Sequence, residues 1–356
     1  MPLLHIEHIQ SKLKKTEVDG ALLTDRASIQ WATGFTGSNS IVVFGHSNAH
    51  FFTDHRYDEQ AHREVKEASV HVPGYDLFGA VAELSLLKAG AKVVIQAEHV
   101  TLDYFQQLQL TFPEVEWYPI SGWLQEARAQ KNEAELASIA QAQNVTDRIY
   151  TELLEWMKPG MTELQVAAEL VYRAMRSGAQ KMSFDPIVAS GPNSALPHAK
   201  PTNRVIGNDD VVLIDFGVVI DGYCSDMTRT VKYGSREELY DAVYETVLEA
   251  QIRAIETVKE GVMTDELDSA ARDIIHNAGY GNYFGHSLGH GVGLEIHEWP
   301  SVSWRSKNRL TSGMVITIEP GIYLPGKFGI RIEDLVCVEK VGAHVFTQSA
   351  KAISYL

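Results

Sequence analysis

The chain has 356 residues, 45% of them hydrophobic, so it exceeds the usual size of one domain and can bury a large core. Acidic residues outnumber basic residues 46 to 31, and the resulting formal net charge of -15 argues against nucleic acid or an anionic membrane as a partner. Only two cysteines are present, and the sequence has neither an apolar signal-peptide core at its start nor an apolar run of about 18 residues, which predicts a cytoplasmic protein.

Helical and strand-like periodicity alternate over the first part of the chain. The patterns predict helices over residues 6–15, 77–90 and 102–112, and strands over residues 20–24, 40–45, 50–54, 92–96 and 114–120. This alternation predicts an α/β domain over residues 1–125. Longer amphipathic helical patterns follow and predict a second domain over residues 126–356, so the whole chain is a mixed α/β (α+β) protein.

A faint repeat marks the second domain. The charged segment 127–135 has no capping signal and predicts the linker. Beyond it, the stretch 158–164 (KPGMTEL) has an echo in 259–267 (KEGVMTDEL), each between two helical patterns and with Thr162 and Thr264 predicted as N-caps. Two related halves place a site between them. The alternative is that an echo this short arose by chance.

The clearest predicted hairpin turns at Asp221 and Gly222, which suit the two positive-φ positions of a type I′ turn. A two-residue loop places Asp215 opposite Thr228 and makes Asp226 its diagonal neighbour on one face. Diagonal positions lie about 7–8 Å apart at the backbone, so both carboxylates reach a common point. Buried together they repel, and this predicts a cation or a positive side chain beside them. Alternatively, both face solvent on an edge strand.

A second pair of acidic residues follows in apolar surroundings. Glu319 ends the strand-like run 314–318, and Glu333 lies within the run 330–338. Arg331 shares a strand face with Glu333, so an ion pair between these two is the alternative to a site.

The stretch 286–298 reads HSLGHGVGLEIHE and holds three histidines among three glycines. The glycines make a helix costly, and the spacing matches neither a zinc-binding helix nor a phosphate-binding loop, so they are predicted to let the backbone approach a bound group. Four carboxylates and one imidazole form an oxygen-rich donor set that suits two divalent ions, Mn²⁺ or Co²⁺ rather than a thiolate zinc site. Such a pair of ions activates water for hydrolysis.

The segments DGYCSDMTRT, HSLGHGVGLEIHE, ITIEPGIY and GIRIEDLV, in this order, resemble the pita-bread metallopeptidases, a group that includes aminopeptidase P, prolidase, methionine aminopeptidase and the metal-free creatinase. WATGFTGSNS and FFTDHRYDEQA resemble the amino-terminal domain of the creatinase and prolidase branch. The resemblance spans nearly the whole chain. It implies a creatinase/prolidase-type domain followed by a pita-bread catalytic domain with a pseudo-twofold repeat.

The resemblance also implies the site residues, position by position. The implied metal ligands are Asp215, Asp226, His290, Glu319 and Glu333. The implied catalytic residues are His198, His297, Glu319 and Arg331. The implied substrate-binding residues are His198, His286, His297 and Tyr223, of which Tyr223 matches a family tyrosine that supports the second aspartate ligand.

The implied reaction is hydrolysis of the bond between an N-terminal residue and proline by a hydroxide that bridges two ions. Mn²⁺ or Co²⁺ is expected and Zn²⁺ is possible, the substrates are small peptides with proline second, and the protein is expected to be a homodimer. Whether it is a dipeptidase or an aminopeptidase stays open. The alternatives are a creatinase-like amidinohydrolase and a non-catalytic binding protein, which the complete ligand set disfavours.

Overall fold

A computed structural model describes residues 5–356. Residues 1–4, part of the start of the chain that was considered for a signal peptide, lie outside the described part. The chain divides into two compact units between Arg128 and Ala129. No helix in the described part is long and apolar enough to cross a membrane.

The first unit is a mixed sheet with helices. Its helices are α1 (Ile6–Lys15), α2 (Arg26–Thr33), α3 (Asp58–Glu64), α4 (Leu77–Glu83) and α5 (Leu102–Thr111), followed by α6 (Gln125–Ala129) at the junction. Its strands are β1 (Gly20–Leu23), β2 (Ser40–Gly45), β3 (Ala49–Thr53), β4 (Ser69–His71), β5 (Lys92–Gln96) and β6 (Glu116–Ile120). They form one sheet in the order β4-β3-β2-β1-β5-β6. Every strand predicted for this part of the chain is confirmed.

The first unit differs from the sequence prediction in three elements that were not predicted, α2, α3 and β4, and in one helix that ends early. The sequence analysis missed α2 although both its ends carry signals: Asp25 accepts a hydrogen bond from the Ser28 amide at 2.7 Å, and Gly34 ends the helix with φ 81°. The helix predicted over residues 77–90 stops at Glu83. Its apolar pattern continues into a loop whose turn places Ser85 at φ 52°.

Asp54 fixes the turn after β3 and makes the stability of this unit depend on pH at acidic values. Its carboxylate accepts hydrogen bonds from the Arg56 side chain at 2.8 Å and from Asn39, and the bonds to Arg56 hold the pKa of Asp54 well below its usual range. A depressed pKa stabilises the fold above the ordinary carboxyl pKa of about 3.9, and this contribution is lost as the pH falls through and below that value.

We therefore expect the melting temperature of the wild-type protein to fall more steeply than that of Asp54→Asn between about pH 5 and about pH 3, because the variant has no such carboxylate to protonate. Asp58→Asn, which changes an exposed carboxylate nearby, serves as the control. Equal slopes for the wild type and Asp54→Asn in calorimetry contradict the prediction.

The second unit contains four long helices and four small sheets. The helices are α7 (Glu133–Trp156), α8 (Glu163–Arg176), α9 (Glu238–Thr257) and α10 (Thr264–Asn277). The strands are β7 (Lys181–Met182), β8 (Ile187–Ser190), β9 (Val211–Phe216), β10 (Val218–Ile220), β11 (Tyr223–Cys224), β12 (Met227–Lys232), β13 (Gly289–Gly291), β14 (Glu298–Val302), β15 (Val315–Ile318), β16 (Gly321–Leu324), β17 (Phe328–Arg331), β18 (Asp334–Val338) and β19 (Ala343–Val345). The sheets run β11-β10-β7, β12-β9-β8, β14-β13-β15-β18-β19 and β16-β17.

The repeat predicted within this unit is confirmed in the backbone. Gly160 and Gly261 both adopt φ 93°. The amide of Gly160 donates to the carbonyl of Ile206 at 2.9 Å, and that of Gly261 donates to Leu310 at 2.8 Å. Each turn joins a long helix to a shorter one, α7 to α8 and α9 to α10. The unit therefore consists of two halves built on the same plan.

The helix starts differ from the sequence analysis in two places. Segment 127–135 is not an uncapped linker, because Asn132 Oδ1 accepts from the amides of Ala134 and Glu135 at 2.9 and 3.1 Å and so begins α7. Thr162 caps α8 as predicted. Thr264 instead is the first residue of α10, and its hydroxyl donates to the carbonyl of Ser306 at 2.9 Å.

The predicted hairpin is confirmed in its turn and in its register. Asp221 and Gly222 have φ values of 49° and 85°. Thr228 lies opposite Asp215. The ladder is interrupted at Gly217, where an added Cβ would lie 1.8 Å from the carbonyl oxygen of Ser225. Only glycine fits there, and this close approach separates the β10–β11 pair from the β9–β12 pair.

Candidate metal centre

Two of the predicted ligands lie within strands, and three lie directly before or after a strand. Asp215 lies in β9, Asp226 directly before β12, His290 in β13, Glu319 directly after β15 and Glu333 directly before β18. All five line one cavity of about 510 Å³. Because β15 and β18 pair Ile318 with Asp334, the two glutamates lie at neighbouring strand ends. The architecture thus brings two acidic pairs, one from each half of the unit, to the same cavity.

The glycines of the 286–298 stretch serve the sheet around His290. An added Cβ would lie 2.0 Å from the Thr317 carbonyl oxygen at Gly289, and 2.4 Å from the Trp299 carbonyl oxygen at Gly291. Neighbouring strands occupy this space. The sheet itself therefore requires glycine at these two positions, and that the glycines also let the backbone approach a bound group stays a prediction.

His290 faces carboxylates with an unprotonated nitrogen. Its Nδ1 lies 3.0 Å from the carbonyl oxygen of Gly291, and because a carbonyl only accepts, Nδ1 carries the proton. Its Nε2 then points a lone pair at Asp226 Oδ2, 3.6 Å away, and at Glu319 Oε1, 3.5 Å away. Burial lowers the pKa of His290 to about 4, so the ring is neutral at pH 7. Three acceptor groups therefore face one another, an arrangement that needs a proton or a cation between them.

The carboxylates around this point are buried and short of partners. Asp215 Oδ1 and Asp226 Oδ1 are buried without any hydrogen-bond donor. Burial, followed by the like charges of neighbouring carboxylates, raises the pKa of Asp226 and Glu333 well above the usual range. Burial raises the pKa of Glu319 to about 7. Such a cluster is unfavourable alone and is stabilised by cations.

The geometry fits a divalent cation. One donor atom from each of Asp226, His290 and Glu333 lies within 4.8 Å of the others. Carboxylate oxygens with a single imidazole are ligands that Mn²⁺ and related ions accept. The unsatisfied acceptors and the orientation of the His290 lone pair favour a cation beside these three residues, which are among the five ligands that the sequence predicts.

Arg331 pairs with Asp215 and not with Glu333, which was the alternative partner predicted from the sequence. Its guanidinium forms an ion pair with Asp215, and its Nε donates to Thr228 Oγ1 at 3.0 Å. Glu333 instead accepts a hydrogen bond from Thr228 Oγ1 at 2.6 Å. The Arg331–Glu333 ion pair is therefore not formed. Even with Arg331 beside it, burial raises the pKa of Asp215.

A buried ion pair lies behind Glu333. Arg229, which is 1% exposed, donates to the Glu333 carbonyl at 2.6 Å and to Asp334 Oδ1 at 2.7 Å. Asp334 is fully buried and also accepts from Gln251 and Lys351. These bonds hold the backbone on both sides of the Glu333 carboxylate.

The three predicted substrate-binding histidines line the cavity but differ in their availability. His286 has no free ring nitrogen: Nδ1 donates to the Ser287 carbonyl at 2.8 Å, and Nε2 accepts from Tyr323 OH at 2.9 Å. The rings of His198 and His297 are exposed and make no hydrogen bond among the described residues. His297 packs edge-on against His290, with ring centroids 4.4 Å apart.

Two tyrosines make contacts that the sequence did not predict. The hydroxyl of Tyr223 donates to Glu135 at 2.8 Å, and Tyr223 is not among the residues that line the cavity. Tyr323 was missed. Its hydroxyl accepts from Arg331 at 2.7 Å and donates to His286, so it connects a ligand-supporting arginine to a cavity histidine. It ends the segment ITIEPGIY, but nothing in that pattern assigned it a role.

A buried glutamate holds the loop that carries His198. Glu163, at the start of α8, is fully buried. Its Oε1 accepts from the amide and hydroxyl of Ser190 at 2.7 and 2.8 Å, and its Oε2 accepts from the amide and hydroxyl of Thr202 at 3.0 and 2.6 Å. One carboxylate therefore fixes both ends of the segment 190–202.

Comparisons with known proteins place these features in context. Residues 137–340 match the model of metallopeptidase family M24, and residues 5–130 match the creatinase/prolidase N-terminal domain. An Xaa-Pro dipeptidase of Pyrococcus horikoshii is 35% identical over 98% of this chain and 98% of its own. Among solved structures, an Xaa-Pro dipeptidase from Bacillus anthracis is 37% identical with a TM-score of 0.94, covering 99% of both chains. An X-Pro aminopeptidase from Thermotoga maritima is 37% identical with a TM-score of 0.90, covering 97% of this chain and all of its own.

Proposed function

The chain belongs to metallopeptidase family M24, and on that basis we propose that it hydrolyses the peptide bond between an N-terminal residue and proline in a metal-dependent reaction. The observation that carries the proposal is the meeting of Asp226, His290 and Glu333 in a cavity with unsatisfied carboxylate oxygens. The relatives described as Xaa-Pro peptidases supply the substrate class. A creatinase-like amidinohydrolase and a non-catalytic binding protein are not favoured, because neither needs this set of acceptors.

The residues proposed to hold the ions are Asp215, Asp226, His290, Glu319 and Glu333. We propose two divalent ions per chain, Mn²⁺ or Co²⁺, with Zn²⁺ as the further candidate. When bound, such ions polarise the carbonyl under attack and lower the pKa of water. Arg331 keeps Asp215 oriented through their ion pair.

The proposed roles of the other residues follow from their exposure. The side chain of Glu319 is 17% exposed, against 9% for Asp215 and 5% for Asp226. Glu319 is therefore the carboxylate placed to take a proton from water and pass it to the leaving nitrogen. His198 and His297, whose ring nitrogens are available, hydrogen-bond the substrate and the charge that develops on its carbonyl oxygen. His286 forms part of the wall through its ring.

Proline explains why a separate pocket is needed. Its nitrogen carries no hydrogen and its φ is fixed, so a peptidase that relies on that N–H binds it poorly. Phe184, Ile187 and Ile296 give the cavity an apolar wall beside the acidic cluster. Such a wall suits the pyrrolidine ring.

Three further properties belong to the proposal. We propose a homodimer and a cytoplasmic location; the second is supported by Cys224 and Cys337, both buried and free. We also propose that short peptides are the substrates.

The test compares dipeptides. We expect the metal-reconstituted protein to cleave Ala-Pro, and to cleave Ala-Ala about tenfold or more slowly, because the smaller side chain loses apolar contacts in the pocket. Release of free alanine measures both rates. Comparable rates on the two dipeptides contradict the proline assignment and leave a metallopeptidase of another preference.

A further inference from the structure

The positive charges in the cavity differ in whether they are available to a substrate. Two residues with permanently charged basic side chains line it, Arg331 and Lys200. Arg331 is 3% exposed, and each of its three nitrogens donates to the protein, with the Pro197 carbonyl and Tyr323 among the acceptors. It has no nitrogen left for a ligand.

Lys200 is the opposite case. It is exposed, and its ammonium forms no hydrogen bond or ion pair with any described residue. Asp185 is the one exposed carboxylate among the described residues of the lining, and it forms no ion pair with Lys200. An unpaired ammonium beside an acidic centre is available to an anionic group of a bound molecule.

The backbone under Lys200 is fixed. Lys200 lies two residues after His198 and two before Thr202, within the segment that Glu163 holds at both ends. Between them, Ala199 is buried and its amide donates to the Leu196 carbonyl at 3.1 Å. The loop is therefore held in place before substrate arrives, which reduces the entropy lost when Lys200 pairs with a ligand.

The proposed substrate has a charge that Lys200 fits. A dipeptide ending in proline carries its free carboxylate on the same residue whose nitrogen is cleaved, so that carboxylate stays within a few bonds of the reacting atoms. In a longer peptide this group is a neutral amide. A carboxylate that enters a cavity lined by five acidic side chains needs a positive partner beyond those that the acids already engage.

We propose that Lys200 binds the C-terminal carboxylate of Xaa-Pro dipeptides and so makes the enzyme prefer free dipeptides over longer chains. The inference rests on the proposed function, which it deepens by naming the substrate class. The bond is charge-assisted and partly screened by solvent, so its loss corresponds to about a tenfold change in affinity.

The experiment measures kcat/KM for Ala-Pro and for Ala-Pro-amide, which differ only in the charge that Lys200 contacts. We expect the wild type to prefer the free acid about tenfold. In Lys200→Gln the KM for Ala-Pro rises and the preference disappears, with kcat little changed because the contact is made equally before and during reaction. Lys200→Arg keeps the preference.

Matched controls separate this inference from its premise. Lys340→Gln removes the same charge from an exposed position that does not line the cavity, and leaves the preference unchanged. Titration calorimetry with L-proline and L-prolinamide gives a readout independent of turnover, in which Lys200→Gln weakens only the former. Equal rates on acid and amide in the wild type, or an undiminished preference in Lys200→Gln, overturn the role of Lys200 while Xaa-Pro hydrolysis stands. A wild type that cleaves neither substrate overturns both proposals.

Discussion

We expect that chelation of divalent ions abolishes the hydrolysis of Ala-Pro, and that adding Mn²⁺ or Co²⁺ restores it with about two ions per chain. The reason is that Asp215, Asp226, Glu319 and Glu333 share one cavity in which Arg331 is the only buried cation among the described residues. Elemental analysis of the reconstituted protein, set beside the rate, measures both parts of the result.

The same treatment lowers the melting temperature. Ions that bind the folded protein and not the unfolded chain stabilise it by mass action, and their removal leaves the carboxylates repelling one another. The control is a chelated sample reloaded with the metal before heating, which recovers the original melting temperature. Full activity in protein shown to be free of metal contradicts the assignment of the centre.

Two histidine substitutions are expected to separate metal binding from substrate handling. His290→Ala removes an imidazole whose Nε2 lies 3.5–3.6 Å from two acidic oxygens, so both metal content and activity fall. His297→Ala removes an exposed ring from the same cavity, so the metal stays bound while turnover slows roughly 100-fold, as for other transition-state hydrogen bonds. His198→Ala behaves like His297→Ala.

These two variants are each other's control, because they remove the same side chain from two neighbouring positions whose rings meet edge-on. Metal content by mass spectrometry and kcat on Ala-Pro are measured on the same preparations. If both variants lose metal equally, the ligand role has been given to the wrong histidine or is shared by both rings.

Local chemistry explains which parts of the site were predictable. The turn at Asp221 and Gly222 sets the hairpin register by its own φ preferences, and that register alone put Asp215 opposite Thr228. The repeat was visible because a glycine with positive φ is needed after each long helix.

What the sequence could not supply depends on contacts between distant strands. Arg331 was expected to share a strand face with Glu333, but that run breaks into β17 and β18, and Arg331 pairs with Asp215, 116 residues earlier. Tyr323 and Glu163 lie within the quoted segments ITIEPGIY and KPGMTEL, but their roles depend on partners that only the folded chain brings near. Long-range pairing also closed Nε2 of His286, whose partner Tyr323 lies 37 residues away, whereas Nδ1 is closed by the carbonyl of the adjacent Ser287.

The division of the second unit into two halves built on the same plan has a consequence for folding. The first half of the second unit contributes Asp215 and Asp226 to the cavity, and the second half contributes Glu319 and Glu333 with His290. Neither half brings both acidic pairs together on its own, so the cavity is complete only once the two halves have packed against each other.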